Sequence, residues 1–343
     1  MMENALLIIL LDVILLVFLL MMSIPLPVCF LGALMFLSAF GNVSMKTMLV
    51  WVFSQSTGTV LLASPLFILA GTYMGGSGIA KRLLDCADSF IGHIKSGLGT
   101  VAIVVCAVMG AISGSGFTGV AATGPIMIPR MEEQGYERGY ATALVTVSSV
   151  LGLLIPPSNV MITYSLVSGG TSVAALFMAG YIPGILWGLA CMLVVYVIAK
   201  KKGYRAKKRF TASEAGKIIL QALPCLLLIV IVIGGIIFGI FTATEGSVVA
   251  VVYSLLLSLF VYKSIMIKEL PKILLDSAEM TGIIIFLIGV SSIMSWVMAF
   301  TNIPELVSAA LLSFSSNKFV ILFLINIILL VVGTFMDMTP ACL

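Results

Sequence analysis

The sequence has few charged side chains, a single histidine and no closely spaced pair of cysteines. Of its 343 residues only 9% are charged, whereas an ordinary soluble domain carries about 25%. One histidine, His93, and six cysteines without a Cys-x-x-Cys pair argue against a zinc centre or another transition-metal site. Hydrophobic residues make up 61% of the chain. The composition therefore excludes a soluble globular protein and indicates one that lies in a lipid bilayer.

Positive charge is also missing from most of the chain. The net charge is +4, but eight of the eighteen basic residues lie in one loop, 200–217, with the sequence KKKGYRAKKRFTASEAGK. Such a concentration between apolar segments is typical of membrane topology and not of a nucleic-acid-binding surface, so we expect no nucleic-acid partner. The positive-inside rule places this loop in the cytoplasm.

Apolar runs of membrane length recur from one end of the chain to the other, which predicts an all-α polytopic membrane protein. The first run, 5–22, is predicted to remain in the protein as a span. It follows Glu3, contains Asp12 and lacks the small-residue cleavage site of a signal peptide. The predicted spans are 5–24, 26–42, 58–75, 141–165, 181–199, 219–242, 246–262 and 281–300.

Two apolar segments do not fit this pattern. Residues 97–129 are too long for one span and carry Gly and Ser at their middle, and residues 319–343 begin in the same way. If 97–129 enters and leaves by the same face, sixteen of the eighteen basic residues become cytoplasmic, and only Lys46 and Lys318 remain outside. A single crossing gives a poorer charge distribution. The charge pattern therefore predicts a re-entrant helical hairpin.

The two halves of the chain resemble each other at an offset of about 220 residues. Residues 45–57 (MKTMLVWVFSQST) match 267–281 (IKELPKILLDSAEMT) as an amphipathic piece before a span, and 110–116 match 333–339. Five crossings in the first half give the second half the opposite orientation. Inverted repeats with interrupted segments are typical of secondary transporters. The predicted organisation is a first repeat, a basic cytoplasmic linker and an inverted second repeat that is incomplete at its hairpin: 1–199, 200–218 and 219–343.

The middle of 97–129 contains Gly114-x-Gly116-x-x-Gly119, which has the spacing of a dinucleotide-binding loop. That motif requires a preceding strand in a soluble βαβ unit, and an apolar membrane segment precedes it here, so we expect no nucleotide. An interruption within the membrane exposes carbonyl oxygens, which suit Na⁺, and half-helix N-termini, which suit a carboxylate. A Gly-rich packing contact is the alternative. The candidate Na⁺-binding residues at this tip are Ser113, Gly114, Ser115 and Gly116.

A second interruption lies within the predicted span 141–165. Pro156 and Pro157 remove two backbone donors and clash with the preceding turn, so the helix opens and leaves carbonyls unpaired. Ser158 and Asn159 add side-chain oxygens beside that opening. We predict that these four residues face the hairpin tip and complete a Na⁺ cage. A simple proline kink is the alternative.

The second half offers candidate residues of its own. Asp337 lies in an apolar run beside Thr339, and an intramembrane carboxylate is by default a functional candidate. Asp337 is therefore a candidate ion ligand or proton carrier, with helix capping as the alternative. Gly333 and Thr339, in the stretch that matches the tip residues 110–116, are candidate Na⁺-binding residues with it. Glu245 is expected to cap the helix that follows it. No span carries an Arg or Lys committed to a carboxylate, so the substrate site stays undefined; the nearest polar candidates are Thr118, Thr123 and Ser158.

The order of these motifs resembles the large membrane subunit of tripartite ATP-independent periplasmic (TRAP) transporters. The likeness runs along essentially the whole chain and is specific because the motifs occur together in this order. They are SIPLP (23–27), PLFILAG (65–71), SGSG (113–116), GPIMIP (124–129), IPPS (155–158), TEG (244–246) and GTFMDMTP (333–340).

The resemblance implies a Na⁺-coupled importer of small organic acids, such as C4-dicarboxylates or sialic acid, that works as an elevator in the bacterial cytoplasmic (inner) membrane. It implies two partners, a smaller four-span membrane subunit and a periplasmic substrate-binding protein. By the same analogy, 113–116 with 156–159 form one Na⁺ site and 333–340 belong to a second. It implies no catalytic residue and no cofactor besides the coupling ion.

The sequence departs from the family pattern by stopping at Leu343, a few residues past the second hairpin tip. We therefore expect a fragment or truncated product that does not transport alone. Three other interpretations remain open. The first is a self-sufficient Na⁺/dicarboxylate carrier of the same superfamily, and the second is a non-transporting membrane scaffold. The third, an intramembrane hydrolase using Ser113 or Ser115, lacks a suitable base.

Overall fold

The structure, a computed structural model, describes residues 2–40, 44–76, 78–94, 96–204, 210–300, 305, 308–309, 312–313, 317–335 and 338. Helices joined by short turns make up this part of the chain, and no strand occurs in it, so the predicted all-α class is confirmed. In chain order the α-helices are α1 (Met2–Met21), α2 (Leu26–Phe40), α3 (Met45–Ser56), α4 (Ala63–Gly76), α5 (Ile79–Ile91), α6 (Gly97–Ser113), α7 (Gly116–Glu133), α8 (Arg138–Ser149), α9 (Leu151–Leu154), α10 (Asn159–Val167), α11 (Val173–Lys202), α12 (Ala212–Ile237), α13 (Ala243–Leu256), α14 (Leu270–Phe300) and α15 (Lys318–Phe335). Short 3₁₀ turns at Thr59–Leu62 and Ile267–Glu269 precede α4 and α14, and a π-helical turn at Leu257–Val261 extends α13.

Several of the described helices are long and apolar enough to cross a membrane. Four qualify by themselves, and a fifth crossing is obtained if α8–α9 and α10, bent by 45° where they meet, count as one span. The predicted spans 5–24 and 26–42 fall on α1 and α2. The four membrane-length segments are Val173–Lys202, Ser213–Ile237, Ala243–Val261 and Ile267–Ile293.

One predicted boundary is wrong. The sequence suggested an amphipathic piece over 267–281 followed by a separate span over 281–300, but α14 is continuous from Leu270 to Phe300. The only proline in this stretch, Pro271, lies in the first turn, where a missing backbone N–H costs nothing to the helix. Nothing in the following residues forces the helix to stop, so the amphipathic piece and the span form one helix.

The described chain divides into two compact units, and the first comprises residues 1–61 and 281–343. Its core is built on one face of α2, where Phe30, Leu34 and Leu37 follow a helical spacing and are buried. Gly289 of α14 lets that helix approach α3 closely, because a Cβ there would lie 2.9 Å from Val52 Cγ1. The buried core cluster of this unit consists of Phe30, Leu34, Leu37, Met48, Leu287, Val290 and Ile293.

The second unit comprises residues 62–280, and its helices pack around α6 and the pair α4 and α13. The amphipathic helix α5 buries one face against α6 and α12. Arg82 of α5 lies 3.9 Å above the ring of Tyr262, whose hydroxyl donates to the Gln221 carbonyl of α12 at 2.8 Å. The predicted cap at α13 is confirmed, because the Glu245 carboxylate accepts from Thr242 N at 2.7 Å and Glu245 N donates to the Thr242 hydroxyl.

The hairpin predicted over 97–129 is present as α6 and α7, which extend it to Glu133. The two helices run antiparallel, because only two residues join them and they pack along each other, with Cys106 of α6 beside Gly119 and Thr123 of α7. The chain reverses between them at Gly114 and Ser115. This geometry brings both outer ends of the hairpin to the same side and its glycine–serine tip to the other. The inverted relation between the two repeats stays a prediction.

Candidate functional site

The hairpin tip is shaped by one glycine and one serine. Gly114 has φ +65° and ψ +15°, a left-handed conformation that glycine adopts without the Cβ clash of other residues. The fully buried Ser113 hydroxyl donates to the Met109 carbonyl at 3.0 Å and lies 3.3 Å from Ser115 N, which donates to it. Ser115 is extended and begins α7. The Ser113 side chain therefore holds the tip by bonding to its own backbone.

The predicted break in the helix lies between α9 and α10. Ile155 and Ser158 have extended backbones, and the Pro156–Pro157 peptide bond is cis. Because proline has no N–H, the Gly152 and Leu153 carbonyls lose the donors that a continuous helix would give them. The two halves of the helix are bent by 45° across this break. The interruption is thus a true opening of the backbone and more than a simple kink.

The tip and the break are in direct contact. Asn159 N, the first residue of α10, donates to the Gly114 carbonyl at 3.1 Å, and Asn159 Nδ2 lies 3.5 Å from the Ser113 carbonyl. A Cβ on Gly114 would lie 3.0 Å from the Pro157 carbonyl oxygen. The structure therefore brings together the sequence-predicted groups 113–116 and 156–159 at one point of the second unit.

Two oxygens at this junction are buried without a hydrogen-bond partner. They are Ser158 Oγ, on a side chain with 0% exposure, and Asn159 Oδ1. A buried unpaired polar group costs about 1–3 kcal/mol, so such a pair at one place needs an explanation. In secondary transporters, unwound backbone carbonyls at an interrupted helix coordinate Na⁺, and hydroxyl and amide oxygens are neutral oxygen ligands of the same kind. The residues present fit a small hard cation.

The remaining sequence candidates lie elsewhere. Thr118 is half-buried near the tip, with its methyl 3.7 Å from the point where a Cβ of Gly71 would lie. Thr123 is fully buried inside the hairpin and faces Cys106, farther from the tip. Gly333 belongs to the first unit, close to the end of α15, with nothing within 4 Å of its Cβ position. Asp337 and Thr339 lie outside the described residues.

Three glycines on which the hairpin tip packs, Gly71, Gly110 and Gly152, were not identified from the sequence. A Cβ on Gly110 of α6 would lie 2.0 Å from Gly152 Cα of α9, so the two backbones touch where neither has a side chain. A Cβ on Gly71 of α4 would lie 2.6 Å from Ser113 Cβ. Glycine within an apolar helical run signals close helix packing in membranes. That signal was present at all three positions, but it does not say which helix approaches.

The hairpin base, opposite the tip, is held by charges and aromatic rings. Arg130 of α7 donates to the Asp85 carboxylate of α5 at 3.1 Å. Tyr136 stacks on Tyr204, just past the end of α11, with ring centroids 3.8 Å apart. Burial raises the pKa of Tyr136 to about 12, so its phenol stays protonated at physiological pH. The base is therefore anchored to α5 and α11.

Comparison with known proteins covers most of the chain. The family described as "Tripartite ATP-independent periplasmic transporter, DctM component" matches residues 13–343. Among similar proteins, YgiK of Salmonella typhimurium, which is uncharacterized, is 48% identical over 286 residues, 83% of this chain and 66% of that protein.

Two further relatives are named for the substrate that they transport. The C4-dicarboxylate TRAP transporter large permease protein DctM of Pseudomonas aeruginosa is 38% identical over 89% of this chain and 71% of its own length. The sialic acid TRAP transporter large permease protein SiaM of Vibrio cholerae is 35% identical over 81% of this chain and 65% of its own length. The chain thus spans about two thirds of the length of these relatives. With helices of membrane length, a broken helix seated on a hairpin tip and a family match over nearly all its residues, the protein belongs to the DctM family of TRAP transporter large permease proteins, which are transport permeases and not enzymes.

Proposed function

We propose that the chain is the transmembrane subunit of a Na⁺-coupled importer that receives a small organic acid from a soluble binding protein. The observation that carries this proposal is the junction of the hairpin tip with the broken helix, where Ser158 Oγ and Asn159 Oδ1 are buried without partners. Family membership supports transport as the activity. Na⁺ as the coupling ion is supported by the chemistry of the donors.

Na⁺ would be held by uncharged oxygens. Ser158 and Asn159 each supply one side-chain oxygen without a hydrogen-bond partner, and the tip adds main-chain carbonyls within reach of Asn159. No carboxylate belongs to the junction as described, so a divalent ion, which prefers charged ligands, is a poorer fit. The bound ion would satisfy the two buried oxygens at once, which links ion binding to the stability of the tip.

A small carboxylate is the substrate class that the backbone favours. Helices α7 and α10 both begin at the junction, at Gly116 and Asn159, and helix N-termini carry partial positive charge. In transporters with interrupted helices, these ends point at anionic substrate groups. C4-dicarboxylate and sialic acid, named for two relatives, belong to this class. Thr118, beside the tip, is the candidate for a further polar contact.

The proposed assembly has three parts in the bacterial inner membrane and periplasm. A small four-span membrane subunit would accompany this chain, and a periplasmic binding protein would deliver the substrate. The TRAP family name supports both partners and the location. The cytoplasmic face would carry the basic segment 200–217, as the positive-inside rule requires.

The decisive experiment is ion-dependent thermal unfolding of the purified chain in lipid nanodiscs. A ligand that binds only the folded state stabilises it by RT ln(1 + [L]/Kd), which is about 2.7 kcal/mol at 100 Kd. We expect Na⁺ to raise the unfolding temperature in a saturable manner, and equal concentrations of K⁺ or choline to leave it unchanged. Equal stabilisation by all three cations would contradict a Na⁺ site.

A further inference from the structure

Helix α11 lies along both sides of the break in the neighbouring helix. It contacts α9 before the break and α10 after it. At one point it is also pinned to α8, because the indole N–H of Trp187 donates to the Val147 carbonyl at 3.2 Å. A 30-residue helix, with Pro183 inside it, that contacts every part of an interrupted neighbour is placed to determine how the parts are arranged.

Three glycines, four residues apart, form the contact face of α11. A Cβ on Gly180 would lie 2.4 Å from the Leu154 carbonyl oxygen and 2.4 Å from Met161 Cε, so this position touches both sides of the break. A Cβ on Gly184 would lie 2.8 Å from Ile155 Cγ1. A Cβ on Gly188 would meet Leu151 at an ordinary 3.7 Å. The contact therefore tightens along the helix toward the break.

The closest contact falls on a carbonyl that the break has exposed. In a continuous helix the Leu154 carbonyl would accept from the backbone N–H of Ser158, but α9 ends at Leu154 and Ser158 is extended. The Cα of Gly180 faces this carbonyl, a weak C–H···O arrangement common where helices pack closely. Any side chain at Gly180 would have to push Leu154 away.

No hydrogen bond holds the two buried side-chain oxygens where the hairpin tip meets the break. Ser158 Oγ is fully buried and has no hydrogen-bond partner, and neither has Asn159 Oδ1. Their positions are therefore set by the packing of the backbone around the break. On one side that packing comes from the tip at Gly114, and on another from α11 at Gly180 and Gly184.

We propose that α11 is a splint that fixes the geometry of the broken helix, with Gly180 and Gly184 as positioning residues for the ion-binding oxygens of Ser158 and Asn159. The effect on ion binding rests on the function proposed above. The effect on the backbone of the break does not depend on it. Neither glycine touches the ion, so both act through Leu154 and Ile155.

The test is a graded series of alanine variants in the 343-residue chain in nanodiscs: Gly180→Ala, Gly184→Ala, Gly188→Ala and Gly234→Ala. Gly234 of α12 is the matched control, because nothing lies within 4 Å of its Cβ position. The half-saturating Na⁺ concentration should rise on the order of tenfold for Gly180→Ala, since displacements near 1 Å have effects of this size or larger. It should rise less for Gly184→Ala and stay unchanged for the other two.

A second measurement tests the effect of α11 on the backbone of the break in the absence of Na⁺. Hydrogen exchange of residues 151–162, measured in choline buffer, should accelerate in Gly180→Ala and Gly184→Ala and not in Gly188→Ala. If wild-type protein binds no Na⁺, the proposed function fails while this measurement still decides the splint. Unchanged exchange in both tight-contact variants would overturn it. The proposal would also be overturned if these two variants had a lower unfolding temperature but their folded fraction bound Na⁺ with unchanged affinity.

A rescue experiment distinguishes a positioning role of Gly184 from a general loss of stability. Ile155→Ala removes the Cγ1 atom that a Gly184→Ala side chain would meet. The double variant should therefore recover wild-type exchange over 151–162 and most of the Na⁺ affinity, even if Gly180→Ala does not fold. Failure of the double variant to recover either quantity would contradict the assignment of Gly184.

Discussion

Ser113 and Ser158 lie at the same junction, are both fully buried, and have opposite hydrogen-bonding states. The Ser113 hydroxyl bonds to Met109 O and Ser115 N, whereas the Ser158 hydroxyl has no partner. Sequence reasoning placed both among the ion-binding candidates because each is a serine at an interruption. Only the three-dimensional arrangement separates a side chain that shapes the tip from one that is available to a cation.

This contrast predicts opposite effects for the same substitution. In Na⁺-free buffer, Ser158→Ala should raise the free energy of unfolding, because it removes a buried unpaired hydroxyl that costs about 1–3 kcal/mol. Ser113→Ala should lower it, because each lost hydrogen bond contributes about 0.5–1.5 kcal/mol. Unfolding of both variants in choline buffer measures the two signs. Destabilisation by both substitutions would mean that Ser158 Oγ has a partner in solution.

Asn159 connects the tip to the break through its backbone and its side chain. Asn159→Ala keeps the backbone bond to Gly114 and removes Oδ1 and the long contact to the Ser113 carbonyl. We expect Na⁺-dependent stabilisation to fall by about 1.5–3 kcal/mol, the usual contribution of a bond to a charged group. Asn326→Ala is the control, because Asn326 of α15 is exposed and its amide donates to the Leu322 carbonyl of its own helix. Equal losses in both variants would contradict a role for Asn159 in binding.

At the scale of elements, the sequence predicted the interruptions and not their contact. Gly and Ser in the middle of 97–129 predicted the hairpin, and the paired prolines predicted the break, since both signals are local. The register in which α6 meets α9 was not predictable, because it depends on two glycines, Gly110 and Gly152, that are far apart in the chain. The continuous α14 was missed because an amphipathic pattern does not show whether a helix stops.

The tip turn offers a matched test of element geometry. Gly114→Ala combines a left-handed backbone, which costs a residue with a Cβ roughly 1–2 kcal/mol, with a 3.0 Å contact to the Pro157 carbonyl. Gly135→Ala has similar backbone strain at φ +86° and open space around the new Cβ. Gly114→Ala should therefore be the more destabilising of the two and should also weaken Na⁺ binding, whereas Gly135→Ala should affect stability alone. Identical behaviour of the two variants would mean that contact with the break is unimportant.

At the scale of the molecule, the family could be predicted from the sequence because several weak motifs occur in one order along the chain. No single motif would have sufficed: SGSG (113–116) alone has the spelling of part of a nucleotide loop. The structure adds that motifs distant in sequence, PLFILAG (65–71), SGSG and IPPS (155–158), converge through Gly71, Ser113 and Pro157. The candidate residues of the second half gain no such support, since Asp337 and Thr339 fall outside the described residues.

Transport by a three-part assembly is the proposed activity, and its dependence on a binding protein distinguishes it from transport by a self-sufficient carrier. The test uses a full-length DctM-family permease that carries the same tip and break residues, 113–116 and 156–159. Co-reconstituted with a four-span subunit and a matching binding protein from the same genome, it should take up labelled C4-dicarboxylate or sialic acid only when an inward Na⁺ gradient is present. An inside-negative potential supplies about 2.3 kcal/mol per 100 mV for each net charge moved, so it should accelerate uptake if Na⁺ charges outnumber substrate charges.

Omitting the binding protein should abolish uptake, because the membrane subunit would then meet substrate only at its free concentration. Full uptake without the binding protein would favour the self-sufficient carrier. Uptake that persists with K⁺ in place of Na⁺ would show that the oxygens of Ser158 and Asn159 do not couple Na⁺ to transport.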